Sequence, residues 1–237
     1  MNMNIDAFRH GVQNGMPIAL GYFAVAFTFG ILAKQAGFHP FEAVFMSATN
    51  LTSAGQFAGM TMIASAATFL EIAVAQRMID ARYVRISGAL SQKIDPNTPL
   101  YHRFLLAFGI TDEIFGVSIA VRGKLNPFYS YGLMSVAIPG WALGTLAGVV
   151  ARNMLPERLI HALSIALFAM LLAVIIPPAK DKRILRGLII CSMASSFLFS
   201  IIPVLSSMSS GVKIIVLTVV IATVASLLFP IEEDAYD

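Results

Sequence analysis

The chain has 237 residues, of which 57% are hydrophobic and only 12% are charged. A soluble domain normally carries about 25% charged residues. Here the deficit runs along the whole length, which excludes a soluble domain with a single membrane anchor. The formal net charge of +3 comes from basic residues at the ends of apolar runs, without a basic stripe interleaved with aromatics. Nucleic acid is therefore not an expected partner, and the lipid bilayer is.

Apolar runs follow one another along the chain, separated by polar or basic turns. At about 20 residues per span, the length accommodates about seven or eight transmembrane helices. We therefore predict an all-α, polytopic membrane protein with one broken helix and a single transmembrane domain over residues 1–237. The main apolar runs are 16–33, 57–75, 104–121, 128–150, 159–176, 184–205 and 212–229.

The two termini carry separate predictions. Residues 6–14 are predicted to form a short interfacial helix, with Pro17 in the first turn of the following span, where its missing N–H leaves no bond unmade. The run 16–33 is longer than the core of a signal peptide, and no small-x-small cleavage site follows it, so we expect it to be retained as a span. Residues 231–237 are predicted to be an acidic, solvated tail.

A polar segment at residues 49–56 interrupts the second apolar region. Unsatisfied backbone in lipid costs several kcal/mol per group, so such a segment must face protein or a water-filled cavity. Discontinuous helices of this kind form substrate and ion sites in transporters. The alternative is a continuous helix whose hydroxyl groups bond to their own backbone. The candidate substrate-binding or ion-binding residues in this segment are Asn50, Thr52, Ser53 and Gln56.

Two adjacent acids, Asp112 and Glu113, are the only charges in the run 104–121, which Arg103 and Arg122 bracket. Charged side chains at the bilayer centre are costly, so an acid at this depth is a functional-site hypothesis by default. The two acids are therefore predicted to bind substrate or to carry a proton. The alternative is that arginine or backbone donors satisfy both acids, which would then only hold helices together.

Glycines accompany the acids and recur in a later run. Offsets of three, four and seven would put Gly109 and Gly116 on the same helical face as the acids, where they would allow close packing. A second set of glycines, spaced by four, is predicted to be a packing face, with Trp141 beside it as filler or an interfacial anchor. This set is Gly140, Gly144 and Gly148.

The distribution of basic residues gives a conflicting orientation. The loop 180–186 is predicted to be cytoplasmic by the positive-inside rule. Counting back with one crossing per run places the turn 122–124 inside but the basic region 77–103 outside. The conflict indicates a non-standard passage, for which residues 43–75 are the first candidate. The roles of Glu71 and Arg82 stay open, although Glu71 could pair with a nearby arginine or lie at an interface.

Several signatures of enzymes and cofactor sites are missing from the sequence. The four histidines have no metal-ligand spacing, and the single cysteine, Cys191, cannot form an intrachain disulfide or a thiolate cluster. There is no Walker A sequence and no G-x-S-x-G motif. We therefore expect no enzyme activity, no bound metal and no cofactor.

An ordered set of segments resembles one family, the AzlC (YgaZ-like) branched-chain amino-acid permeases. The resemblance covers about residues 7–230. The segments that carry it are, in order, GVQNGMPIALGY, LTSAGQFAG, DARYVRISGAL, GITDEIF, GWALGTLAG and HALSIALFAMLLAVIIPP.

The resemblance implies a multi-pass exporter in the inner membrane of a bacterium or archaeon, for leucine, isoleucine, valine and related amino acids such as methionine. It also implies a small hydrophobic partner subunit of the AzlD type. The family usually has an alanine-rich polar segment and an uncharged residue near Glu71, and this chain departs from both patterns. We expect proton-coupled secondary transport. The alternative function is a non-transporting assembly or sensing component with structural acids.

A zwitterionic substrate would need a polar contact at each end. We expect the segment 49–56 to bind its carboxylate, and Asp112 or Glu113 to bind its ammonium group or the coupled proton.

Overall fold

The computed structural model describes residues 3–156, 158–159, 179–180, 183–203 and 208–229. These residues form ten helices and no β-sheet, which confirms the all-α, polytopic prediction. Four of the ten helices, α1, α8, α9 and α10, are long and apolar enough to cross a membrane. The helices are α1 (Met3–Gln35), α2 (Pro40–Thr49), α3 (Ser53–Ala64), α4 (Phe69–Ile79), α5 (Arg82–Lys93), α6 (Leu100–Phe108), α7 (Asp112–Ala120), α8 (Pro127–Ala151), α9 (Arg183–Ile201) and α10 (Ser210–Leu228).

Two compact units contain these helices. Unit 1 comprises Met1–Met60 and Ile79–Leu167, and unit 2 comprises Thr61–Met78 and Phe168–Asp237. Nearly all of the predicted span 159–176 lies outside the described residues, as does the predicted acidic tail, and the total of seven or eight spans stays a prediction.

The frame of unit 1 is a parallel pair formed by α1 and α8. Glycines of α8 pack directly on the α1 backbone, so that successive turns of the two helices match in the same order. A Cβ at Gly140 would lie 2.8 Å from the carbonyl oxygen of Ala19, and one at Gly148 would collide with the carbonyl of Phe27. Such close approach is the reason for small residues at helix contacts in membranes.

The predicted start of the first span at Pro17 is wrong. Residues 6–14 continue into α1 without a break, and Pro17 lies inside that helix. The proline removes one helical hydrogen bond. The turns that precede Pro17 are held against α8, because Gly11 and Gly15 pack on its backbone, and a Cβ at Gly15 would lie 3.1 Å from the carbonyl oxygen of Leu133.

The first re-entrant hairpin consists of α2 and α3. It enters from the end of unit 1 where α1 and α8 finish, and α2 stops at Thr49. Residues 50–52 are not helical, and the Thr52 hydroxyl accepts the N–H of Gly55 in the first turn of α3. The chain then reverses, and α3 runs back toward the end of α1. The evidence is that Phe57 of α3 packs edge-to-face on Phe29 of α1, with ring centroids 5.2 Å apart. The predicted interruption of this helix is therefore confirmed.

The second re-entrant hairpin consists of α6 and α7, and it corrects the prediction of one continuous helix over 104–121. The α6 helix ends at Phe108 and α7 begins at Asp112. Thr111 has an extended backbone and caps α7 by accepting the N–H of Ile114, which favours the break. Gly109 therefore precedes α7 and does not share a helical face with the acids.

Both outer ends of this second hairpin lie where α1 and α8 begin, which we call the basic end of unit 1. The N–H of Leu125 donates to the carbonyl of Lys93 at 2.9 Å, and Lys124 donates to the carbonyl of Gln92 at 3.2 Å. Arg103, at the start of α6, donates to the same segment at Ser91. This hairpin is a second non-standard passage, and it places the basic region near residue 93 beside the 122–124 turn.

In unit 2, Glu71 joins the starts of two helices. Its carboxylate accepts the N–H of Thr68 at 2.8 Å, which caps α4, and the hydroxyl of Ser209 at 2.6 Å, which is the N-cap of α10. Glu71 therefore has a structural capping role in this unit. The α9 helix has no buried residue among those described, so its apolar surface is open to lipid or to a partner.

Candidate functional site

The two hairpins meet at an aromatic pair between α1 and α8. Tyr22 and Trp141 contact edge-to-face with ring centroids 5.2 Å apart. The Tyr22 hydroxyl lies 2.5 Å from the Thr111 hydroxyl and 2.6 Å from Oε2 of Glu113, at the start of α7. A charge-assisted bond of this length is among the stronger hydrogen bonds in proteins. The tip of the second hairpin is therefore fixed to α1.

Trp141 holds the first hairpin in the same way. Its indole N–H donates to Oε1 of Gln56 at 2.8 Å, and Nε2 of Gln56 donates to the Ser47 hydroxyl. Ser47 in turn bonds to Thr145 of α8 at 2.6 Å. Gln56, Ser47 and Thr145 are fully buried, so this polar network is satisfied inside the protein. We call the bonded set of Tyr22, Gln56, Thr111, Glu113 and Trp141 the junction.

A charged cluster lies beside the junction. Arg82 and Asp112 form an ion pair at 3.0 Å, with side chains 43% and 44% exposed. The Arg82 guanidinium also lies 5.1 Å from the centre of the Tyr83 ring. Thr52, at the tip of the first hairpin, is within hydrogen-bonding reach of Tyr83 and Asp80. With Glu113, the cluster contains three carboxylates and one guanidinium.

The structure thus brings together most of the residues singled out in the sequence. Asn50 and Thr52 form the tip of the first hairpin, where the Asn50 side chain accepts the N–H of Thr52, and Ser53 begins α3. Asp112 pairs with Arg82, whereas Glu113 bonds to Tyr22, so the two acids have different environments.

The glycines of the second hairpin differ from one another. A Cβ at Gly109 would collide with the side chain of Met134, so Gly109 packs closely against α8. Gly116 has no atom within 4 Å of a Cβ position, so it does not serve the predicted close packing within unit 1.

Sequence reasoning missed Tyr22 and Thr111 as members of the site and took Trp141 for filler. One signal was available for Thr111, because a threonine followed by two acids is typical of a helix N-terminus. Tyr22 is separated from Glu113 by 91 positions and carried no local signal. Among the described residues, no group of three or more His, Cys, Asp or Glu side chains is arranged to hold a metal ion.

Comparison with known proteins assigns the family. The family model described as AzlC protein matches residues 17–155, which include the whole junction. The chain belongs to the AzlC family. No solved structure matches it.

Three relatives illustrate the range of similarity. An uncharacterized membrane protein of Archaeoglobus fulgidus is 32% identical over 182 residues, covering 75% of this chain and 78% of that protein. The inner membrane protein YgaZ of Escherichia coli is 31% identical over 145 residues, covering 60% of this chain and 59% of YgaZ. An uncharacterized membrane protein of Helicobacter pylori is 26% identical over 151 residues, covering 62% of this chain and 65% of that protein.

Proposed function

We propose that this AzlC-family protein exports branched-chain amino acids, namely leucine, isoleucine and valine, together with methionine, across the inner membrane of a bacterial or archaeal cell. The observation that carries the proposal is the junction, where two re-entrant hairpins from opposite ends of unit 1 meet. Irregular backbone at membrane depth is tolerated where it is buried in protein or lines a water-filled cavity. Discontinuous helices with this arrangement bind substrates and coupling ions in secondary transporters.

The charged cluster suits a zwitterionic substrate. The ion pair between Arg82 and Asp112 is half exposed, so an amino acid can exchange with it. The substrate carboxylate would then bind Arg82 and the first turn of α3 near Ser53, where a helix N-terminus favours negative charge. The substrate ammonium would bind Asp112. A zwitterion thus replaces both partners of the ion pair without leaving an unpaired charge.

Glu113 is the proposed proton carrier. As a carboxylate it accepts the Tyr22 hydroxyl, and this bond holds α7 against α1. Protonation removes the charge and weakens that bond, because charge-assisted hydrogen bonds are about twice as strong as neutral ones. Proton binding would therefore release the tip of the second hairpin, which couples the proton to movement of the chain.

The proposal includes an orientation and a partner. The basic end of unit 1 carries Lys93, Arg103, Arg122 and Lys124, whereas Lys34 and Arg152 lie at the other ends of α1 and α8. By the positive-inside rule the basic end faces the cytoplasm. A small hydrophobic subunit of the AzlD type would pack on apolar surface such as that of α9.

The test is to neutralise each acid and measure export of radiolabelled leucine from preloaded cells, with the amount of protein in the membrane measured in parallel. We expect Glu113→Gln to accumulate normally and lose most export. We expect Asp112→Asn to raise the internal leucine concentration needed for half-maximal export, because the substrate ammonium then lacks its carboxylate. The control is Asp95→Asn, which removes a carboxylate bonded to Asn97 in a loop away from the junction. If Glu113→Gln and Asp112→Asn accumulate normally and both export at the wild-type rate, the acids are structural and the proposal is wrong.

A further inference from the structure

An open cavity of about 690 Å³ lies at the basic end of unit 1, between the first part of α1 and α7. Its size falls within the range of pockets that bind small molecules. None of the residues assigned to the junction lines it. Its lining residues include His10, Asn14, Gly116, Ala120 and Lys124.

The lining has one apolar wall and one polar rim. The wall comes from α7 and includes Gly116 and Ala120, whereas the rim includes His10 and Lys124, and Asn14 lies one turn further along α1. No lining residue is acidic. Lys124 donates one bond to the carbonyl of Gln92, and its ammonium group has three donors in all. This chemistry suits a carboxylate at the rim and an aliphatic side chain against the α7 wall.

The inner end of the cavity lies next to the junction. Gly116 follows Glu113 by three residues, so the two lie on the same side of α7, one turn apart. Asn14 precedes Tyr22 by eight residues in the same helix, which corresponds to about 12 Å along its axis. Along α7 the cavity therefore reaches to within one helical turn of Glu113, whereas along α1 it ends about 12 Å before Tyr22.

We propose that this cavity is the passage by which the amino acid reaches the junction from the cytoplasm, with Lys124 attracting its carboxylate at the rim. The inference rests on the proposed export function and adds a route and a binding chemistry to it.

A larger side chain at Gly116 would narrow the proposed passage. Its Cβ position has no atom within 4 Å, so a larger side chain would occupy the cavity without a clash. Gly88 of α5 has the same open surroundings, and it does not line the cavity. Leucine at either position adds equal volume in a helix of unit 1, which makes Gly88→Leu a matched control for Gly116→Leu.

The first measurement is export of labelled leucine and labelled valine by these two variants, at equal amounts of protein in the membrane. We expect Gly116→Leu to slow leucine export on the order of tenfold, the lower end of what pocket size discriminates. Valine export should fall less, because valine is smaller by one methylene, and Gly116→Ala should lie between wild type and Gly116→Leu. Equal leucine export by Gly116→Leu and Gly88→Leu would overturn the proposed route.

The second measurement needs no transport. A cysteine replaces Ala120 on a background in which Cys191→Ser removes the native thiol, and its reaction with a water-soluble thiol reagent is timed. We expect reaction, and slowing by added leucine. A cysteine at Asn97, an exposed residue of the loop between α5 and α6 outside the cavity, is the control; it should react and show no protection by leucine. No reaction at position 120, or no protection by leucine, would overturn the proposal. If leucine protects this cysteine but the wild-type protein exports no amino acid, the export function is wrong and amino-acid binding in the cavity stands.

Discussion

Removing the Tyr22 hydroxyl tests whether the junction fixes the second hairpin. The substitution Tyr22→Phe keeps the ring and its edge-to-face contact with Trp141 but removes the group 2.6 Å from Glu113 and 2.5 Å from Thr111. A hydrogen bond to a charged group contributes about 1.5–3 kcal/mol. At 1.4 kcal/mol per factor of ten, the equilibrium constant for keeping the hairpin tip bonded to α1 would fall roughly 10- to 150-fold. We therefore expect leucine export to fall by at least about tenfold, because Glu113 no longer has a fixed position.

The assay compares initial export rates from preloaded cells at equal amounts of membrane-inserted protein. The control is Tyr131→Phe, which removes a tyrosine hydroxyl bonded to His102 at 2.6 Å outside the junction, and it should keep most export. A double substitution of Tyr22→Phe with Glu113→Gln should cost little more than the larger single effect, since Glu113→Gln weakens the bond that Tyr22→Phe removes. If Tyr22→Phe accumulates normally and exports at the rate of Tyr131→Phe, the bond does not position the hairpin for transport.

Three further outcomes are expected. Trp141→Phe removes the donor to the buried Gln56 carbonyl, so the free energy of unfolding should fall by about 1–3 kcal/mol, measurable as a lower melting temperature in detergent. Gly148→Ala should cost a similar 1–3 kcal/mol, because its methyl group meets the Phe27 backbone, whereas Gly88→Ala should leave the melting temperature within a degree or two of wild type. Export by the chain alone should be low and should rise when a small AzlD-type subunit is co-expressed; full export in cells lacking any such subunit would contradict the partner prediction.

The sequence was sufficient to predict the interruption between α2 and α3, because polar residues mark it. Residues 49–56 carry hydroxyl and amide groups in an apolar region, and such a segment cannot lie in lipid as an ordinary span. The acids were also singled out as unusual for an apolar run, although the placing of Gly109 on their helical face was wrong. In both cases the signal was a local conflict between composition and environment.

The second hairpin could not be predicted, because its two helices together have the length and hydropathy of one span. The α6 and α7 helices have nine residues each, and they are joined by a three-residue tip that contains no proline. Hydropathy responds to the length of an apolar run and not to whether the chain reverses within it. The partners that hold the tip, Tyr22 above all, come from a helix 91 positions away, so no local pattern could include them.

The lengths of the half-helices explain why the two hairpins meet where they do. At 1.5 Å per residue, the ten residues of α2 extend about 15 Å and the nine residues of α7 about 13.5 Å. Entering from opposite ends, they together extend about 28 Å, close to the 30 Å thickness of a bilayer's hydrocarbon core. In a membrane of that thickness the tips would meet near mid-depth, where Tyr22 and Trp141 of the α1–α8 pair bond to polar groups that lipid could not satisfy. Under the proposed export function, a substrate that reaches either tip would have passed half of the membrane, and a small displacement of one tip at the junction would open its way to the other side.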